Sequence, residues 1–296
     1  MSAPADVAEI RRFSRSFTQR IGALDDHFLG RDRTLGEARL LYEIGRHGAS
    51  IGALRDRLDL DSGYTSRLLR QLEAGGLVRT VPDPDDGRRR RVELTPAGLR
   101  EWELLDELSD DRVAALVAPL GGRRTAELAS LLARAGRLLA AAAVHLDVVD
   151  ARCPEARAAM DAYFAELDER FPNGFDPGEA TTRDAETFDP PSGAFVLVRA
   201  DAEPIGCGGL LTIEPGVGEI KRMWIARAWR GLGLAGRLLA DLEARSIAIG
   251  HHTVRLDTNS TLTDAIAMYE RAGYTPIGRY NDNPYAERWF EKSLHG

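Results

Sequence analysis

Cysteine and lysine are scarce in this chain of 296 residues: there are two cysteines, and only Lys221 and Lys292 among the 39 basic residues are lysine. Cys153 and Cys207 lie far apart and lack metal-ligand spacing, which excludes a disulfide framework and a zinc module. Two free thiols fit a reducing compartment, so a cytoplasmic location is expected. Long apolar runs are also missing. The longest, Leu138 to Leu146, is too short to cross a bilayer and contains His145, so no membrane association is expected. The first thirty residues alternate charge with Phe13, Phe17 and Ile21, unlike a secretory signal. No repeat or low-complexity tract is present. The length exceeds that of most single cores, so two domains are expected.

Charge of one sign is unevenly placed. Residues 1–145 hold 23 Lys+Arg against 22 Asp+Glu, whereas residues 146–296 hold 16 against 24. The overall charge of −7 therefore leaves room for a nucleic-acid partner in the first half. Arginine supplies forked donors to phosphates and guanines, although the bias also follows from genome composition.

Apolar residues at helical spacing run through Val7–Phe28, Leu35–Ile44, Ile51–Leu58 and Tyr64–Leu77. Two short strands, Leu77–Thr80 and Arg91–Thr95, flank the turn-rich Pro82-Asp83-Pro84-Asp85-Asp86-Gly87. Pro96 opens another helix, interrupted near Pro119-Leu120-Gly121-Gly122, and a last helix reaches about His145. This order is that of a winged helix-turn-helix. Asp61-Ser62 caps the helix Gly63–Ala74, whose first turn is expected to expose Ser62, Tyr64, Thr65 and Arg67 where base edges are read. Arg88, Arg89 and Arg90 at the hairpin tip suit phosphates or a minor groove.

The segment Asp86-Gly87-Arg88, followed by Val92-Glu93-Leu94-Thr95-Pro96-Ala97-Gly98, resembles the wing of the multiple-antibiotic-resistance regulator (MarR) family. That resemblance implies a homodimer formed by the terminal helices and bound to double-stranded DNA at a pseudo-palindromic operator. Leu128, Leu131, Leu132, Ala135, Leu138, Leu139 and Ala142 form a suitable apolar stripe, which can equally pack within one protomer.

The second half alternates strands and helices from about Leu146. Its strongest signal is Arg230-Gly231-Leu232-Gly233-Leu234-Ala235, between a strand ending at Ile225 and the helix Gly233–Ile249. A diphosphate needs backbone N–H groups converging at a helix N-terminus, small residues for close approach, and a nearby positive charge. A dinucleotide-binding turn is the competitor, but it needs three spaced glycines after the first strand of a unit. The pattern instead resembles the coenzyme-A signature of the GNAT acetyltransferase superfamily, over about residues 146–296. The resemblance implies acetyl-CoA as cosubstrate and an amine, on a small molecule or a protein lysine, as acceptor. It implies that Met223, Trp224 and Ile225 lie along the acetyl-pantetheine arm, with the Ile225 amide polarising the thioester carbonyl. Arg230, Gly231, Leu232, Gly233, Leu234 and Ala235 would hold the diphosphate, and Asn259 the pantetheine.

Tyr269 matches the superfamily tyrosine beside the coenzyme sulfur and suits a general acid; the plainer alternative is a core aromatic. Glu219 is the best candidate base, against a carboxylate simply paired with Lys221 or Arg222. Asn281 and Tyr285, in Asn281-Asp282-Asn283-Pro284-Tyr285, resemble an Asn-x-Pro-Tyr loop of GNAT domains fused to MarR-like ones and are expected to contact substrate. His251-His252 lacks a third ligand, so no metal is expected. The fold expectation is therefore multi-domain: a helical, winged-helix domain with a β-wing over residues 1–145, then an α+β GNAT domain with a mixed, splayed sheet over 146–296. The functional expectation is a regulator that also acetylates an amine. The alternatives are a regulator whose second domain only senses acyl-CoA or a small molecule, and an enzyme that uses the winged helix only to dimerise.

Overall fold

Short polar side chains set where the helices of the first half begin. In the computed structural model, which describes residues 4–25, 27–83, 90–178, 185–200 and 203–294, α1 spans Pro4–Arg20. Thr34 and Glu37 form a capping box for α2 (Leu35–Ile44), and the Ser50 side chain caps α3 (Ile51–Leu58). Asp61 accepts from the Tyr64 amide to start α4 (Ser62–Ala74). Two residues of β1 (Ala49–Ser50), with β2 (Val78–Pro82) and β3 (Arg90–Leu94), make a sheet in the order β1-β3-β2. Helices α5 (Pro96–Val117) and α6 (Gly121–Ala142) follow. The apolar faces of α2, α3 and α4 meet in a core that includes Leu40, Leu41, Ile44, Leu54, Leu72 and Val92.

Helix α5 is locked to the hairpin at its first turn. Thr95 caps it and also donates to the carbonyl of Leu77, while Gly98 lies so close that a Cβ would sit 1.8 Å from the Leu77 oxygen. The Thr95-Pro96-Ala97-Gly98 run thus records a close approach of helix to strand. Further along, Glu101 accepts a two-pronged pair from Arg31 (3.1 and 2.7 Å), which holds its carboxyl below the ordinary value.

The chain divides into two compact units, Met1–Leu131 and Leu132–Gly296, with the division inside α6. In the second unit the strands are β4 (His145–Val149), β5 (Gly193–Ala200), β6 (Glu203–Glu214), β7 (Val217–Ile225), β8 (Thr253–Thr258), β9 (Thr275–Ile277) and β10 (Arg288–Ser293). The helices are α7 (Pro154–Arg170), α8 (Leu234–Ile249) and α9 (Thr263–Arg271). The seven strands lie in the order β4-β5-β6-β7-β8-β10-β9, with β7 and β8 parallel and the other pairs antiparallel. Strand alternation splits the core between the faces. Val196, Val198, Leu210, Val254 and Leu256 pack with α8, whereas Phe195, Leu197 and Cys207 pack with α7 and Phe188.

Three elements differ from expectation. α1 ends at Arg20 rather than near Phe28, because Gly22 (φ 73°) opens a turn there. β9 stops at Ile277 instead of Tyr280, because residues 278–286 leave the sheet as a loop. Helix α7 has no clear apolar stripe, and sequence periodicity did not reveal it. Its buried residues, Ala156, Ala159, Met160 and Leu167, include two alanines and leave a long gap between Met160 and Leu167.

Candidate functional site

A parallel pair that parts midway creates the cleft of the second unit. β7 and β8 pair only at Val217–Thr253, Gly218–Val254 and Glu219–Arg255; beyond Glu219 the strands separate. β8 stays bound to β10 along its whole length, so among the described residues no strand pairs with the end of β7 on that side. A bulge adds to the divergence: Cys207 faces Trp224 and Gly209 faces Lys221, leaving Arg222 and Met223 opposite Gly208 alone. Arg222 takes φ 57° there, and its guanidinium lies 5.6 and 5.4 Å from the rings of Phe164 and Phe188.

The resulting cleft of about 840 Å³ is walled by β7, α7, α8 and α9. It brings together Met223, Trp224, Ile225, Arg230, Gly231, Gly233, Leu234, Ala235 and Tyr269 from the sequence-derived set. Gly233, left-handed at φ 78°, is the N-cap of helix α8, and among the described residues no side chain caps it. Its first amides are therefore unclaimed, and a Cβ at Gly231, Gly233 or Gly236 would meet nothing within 4 Å. An uncapped helix start under open space is suited to an anionic group.

Arg230 is placed differently from a free phosphate ligand. Its Nε donates to the Ile225 carbonyl (2.8 Å) and its Nη2 to Glu166 (2.5 Å), so it ties the strand end to α7. Glu166 also accepts from Trp224 Nε1 (2.9 Å) and Arg170 (3.2 Å). Burial alone would raise the Glu166 carboxyl, but the Arg230 and Trp224 donors outweigh it and hold the group below its usual range. Among the described residues of the sequence-derived set, Leu232, Asn259, Glu219, Asn281 and Tyr285 do not line the cleft. Leu232 packs on the core, and Asn259 donates to the Tyr285 carbonyl (2.9 Å) while accepting from Thr261 in a turn.

Tyr269, on α9, is buried against Tyr274 and Phe290 at ring distances of 5.8 and 6.2 Å. Its hydroxyl makes no hydrogen bond among the described residues, and the residue lines the cleft. Burial, and then the charge of Asp257, push the phenol above its ordinary value, so it stays in its proton-donating form. Glu219 is 3% exposed. It accepts from Tyr280 (2.8 Å) and Asn281 (3.0 Å) and pairs with Lys221 (3.3 Å). Asn281 also donates to Asp257 (2.5 Å) and accepts from Trp289 (3.0 Å), while Asn283 donates to the other Asp257 oxygen (2.9 Å). Tyr285 turns elsewhere: its ring packs on Phe171 and Phe175, and its hydroxyl bonds the Asp176 backbone.

Sequence reading missed Glu166, Tyr163, Tyr280, Asn283 and Asp257. For Asp257 a signal existed, since it lies on the polar face of β8, just past the last pairing with β7. For the others, the partners are remote in sequence. Cys207 is fully buried, and burial pushes its thiol up to about 12, the opposite of an activated nucleophile. His251 is held by Ser246 and Thr212 (2.8 Å each), and no group of metal-ligating side chains occurs among the described residues.

In the first unit, Ser62 and Arg67 are exposed on α4, with the Arg67 guanidinium 5.6 Å from the half-buried Tyr64 ring. Thr65 is a correction. It is 1% exposed, and its hydroxyl donates to the Asp61 carbonyl one turn back, so it points into the core. Arg90 is exposed at the start of β3; Arg88 and Arg89 lie outside the described residues. On α6, Leu131, Leu132, Leu138 and Leu139 are exposed, with Ala135 and Ala142, and Leu128 is half-buried.

Residues 160–274 match the model of the acetyltransferase (GNAT) family, and residues 30–89 match that of the MarR family. The chain is 31% identical over 115 residues to an IAA acetyltransferase of Azospirillum brasilense, covering 38% of this chain and 74% of that protein. It belongs to the GNAT acetyltransferases. An uncharacterized N-acetyltransferase of Escherichia coli K12 is 30% identical over 95 residues, 31% of this chain and 57% of that one. In the solved structures, a probable transcriptional regulator from Pseudomonas aeruginosa is 29% identical, with a TM-score of 0.37, covering 42% of this chain and 95% of that one. The GNAT domain thus carries the cleft, and a MarR-like regulator domain precedes it. No helix among the described residues is long and apolar enough to cross a membrane.

Proposed function

We propose that the protein is a cytoplasmic, homodimeric transcriptional regulator that also transfers acetyl from acetyl-CoA to an amine, the two tasks falling to residues 1–145 and 146–296. One observation carries the enzymatic reading: the uncapped start of α8 opens into the same cleft that the unpaired end of β7 and Tyr269 line. Amides of the 231–235 turn would take the diphosphate, and the open backbone of Met223 to Ile225 the pantetheine arm. Bound there, acetyl-CoA supplies an activated acyl group. The chain's own residues orient the carbonyl through the Ile225 amide, offer a proton to sulfur from Tyr269, and accept one from the amine at a carboxylate, for which Glu219 is the sequence candidate. Asn281 borders that carboxylate, and Tyr285 shapes the loop around it. Because Cys207 is inert, attack is direct within a ternary complex.

Incubating the protein with acetyl-CoA and a panel of amines, and following free thiol, tests this reading. Thiol release with formation of an acetylated amine is expected. Saturable acetyl-CoA binding that shifts DNA affinity without turnover would instead make the domain a sensor.

For the DNA-binding half, the exposed side chains of α4 would enter the major groove and the Arg88–Arg90 tip would meet the backbone or minor groove. Support comes from the MarR-family match and from the exposed Ser62, Arg67 and Arg90. The exposed leucines of α6 fit a dimer seam. Arg90→Ala is expected to weaken DNA binding across sequences and to reduce the log K against log salt slope by about 1. Titrations at several salt concentrations measure it, and an unchanged slope would remove Arg90 from the interface.

A further inference from the structure

Two carboxylates stand at the head of the splay, and their surroundings differ. Glu219 is satisfied: Oε1 accepts from both Tyr280 and Asn281, and Oε2 lies 3.3 Å from the Lys221 ammonium, which balances its charge. Asp257 is half-buried and receives one neutral amide on each oxygen, from Asn281 and Asn283. Among the described residues it pairs with no cation. Each carboxylate oxygen has two lone pairs, so Asp257 keeps room for further donors. A partly buried anion without a counter-charge is unfavourable unless something positive arrives.

Position points the same way. On β8, Val254 and Leu256 are buried toward α8, which leaves Asp257 on the opposite face with Arg255. The Asp257 charge acts on the hydroxyls of Tyr269 and Tyr163, two residues of the cleft wall, and also on Tyr280, where the Glu219 charge acts more strongly; Glu219 reaches neither cleft-wall tyrosine. Asn281 links the two acids with a single amide group, and Trp289 fixes that amide's orientation through its oxygen.

We infer that Asp257 is the seat of the acceptor's ammonium group and takes its proton, and that Glu219 is a positioning residue that holds Asp257 through Asn281. The inference rests on the acetyltransferase reading above and specifies its acceptor as a primary amine that arrives charged. With a pKa of about 10.4, such an amine is protonated at neutral pH and cannot attack until it loses a proton. An N–H bond breaks toward Asp257, which frees the lone pair. The nitrogen then bonds to the acetyl carbon, and the carbon–sulfur bond breaks. Sulfur takes the Tyr269 proton, and the second proton lost by nitrogen restores the phenol. The Asp257 proton passes to solvent, so one proton is released per amide formed.

The test uses the full chain, acetyl-CoA, and two kinds of acceptor: the best of a set of primary alkylamines, and hydroxylamine, which is largely unprotonated at neutral pH. For Asp257→Asn, kcat/KM with the alkylamine should fall by about 10²-fold or more, the usual worth of a general base. The acid limb of its pH profile should vanish, and the loss with hydroxylamine should be much smaller. Calorimetry should show unaltered acetyl-CoA binding. Glu219→Gln should fall less and keep the acid limb, displaced in pH. Asp257→Glu should restore the limb, which keeps the result interpretable if the asparagine variant folds poorly. An active wild type with an unmoved pH profile in Asp257→Asn, or equal losses with both acceptors, overturns this assignment alone. A wild type that releases no thiol with any amine overturns the acetyltransferase reading, and this assignment with it.

Discussion

Tyr269→Phe is expected to lower kcat by about 10²-fold while leaving the affinity for acetyl-CoA nearly unchanged. Tyr269 lines the cleft and its hydroxyl makes no hydrogen bond among the described residues, so removing that hydroxyl breaks no hydrogen bond. The ring remains between Tyr274 and Phe290, which preserves packing. On the proposed mechanism, what is lost is the proton offered to the departing sulfur. The direction of the phenol's shift adds a pH signature. Burial and the Asp257 charge both disfavour the phenolate, so wild-type turnover should hold to a pH above the ordinary tyrosine value of about 10. Steady-state rates from neutral to alkaline pH, with calorimetry on the same variant, measure both effects. A large affinity loss with normal turnover would make Tyr269 a binding residue instead.

The largest stability effect is expected at Gly98. A methyl group there would sit 1.8 Å from the Leu77 oxygen, 2.8 Å from its carbonyl carbon and 3.3 Å from its Cα. All three are backbone atoms of the chain entering β2, and the same oxygen accepts from Thr95 N and Oγ1. No side chain can rotate away, so α5 must lift from the hairpin. Gly98→Ala should therefore cost about 3 kcal/mol, at the upper end for overpacking. A melting temperature lower by roughly 10–20 °C would follow. Loss of DNA binding should accompany it, since α5 holds the hairpin that carries Arg90. Circular dichroism melts and DNA titration measure the change, and an unaltered melt would contradict the close approach.

Much of the fold was legible because local chemistry and periodicity agree. The helices α2, α3 and α4 begin at capping side chains and carry regular apolar faces, and β5 to β7 carry apolar runs bounded by turns. Helix α7 was not legible, since two of its four buried positions are alanines and its aromatic residues serve other contacts. The glycine turn before α8 was readable because a helix start, glycines with positive φ and their strand are adjacent in sequence. Thr65 was misplaced by one step around the helix. A polar residue in a first turn reads as exposed, yet its hydroxyl donates to the carbonyl of the N-cap Asp61 and the residue is buried.

By itself, the order of residues determined the two-domain plan, the winged helix, the turn at residues 230–235 and the tyrosine on α9. Each is set by neighbours within one turn or one hairpin, whose geometry the backbone imposes. Only tertiary structure decided that Arg230 clamps Glu166, that β7 and β8 part after Glu219, and that Asn281 joins Glu219 to Asp257. Those groups come from elements tens of residues apart, and their charge balance depends on which side chains the sheet and its covering helices bring within hydrogen-bonding distance.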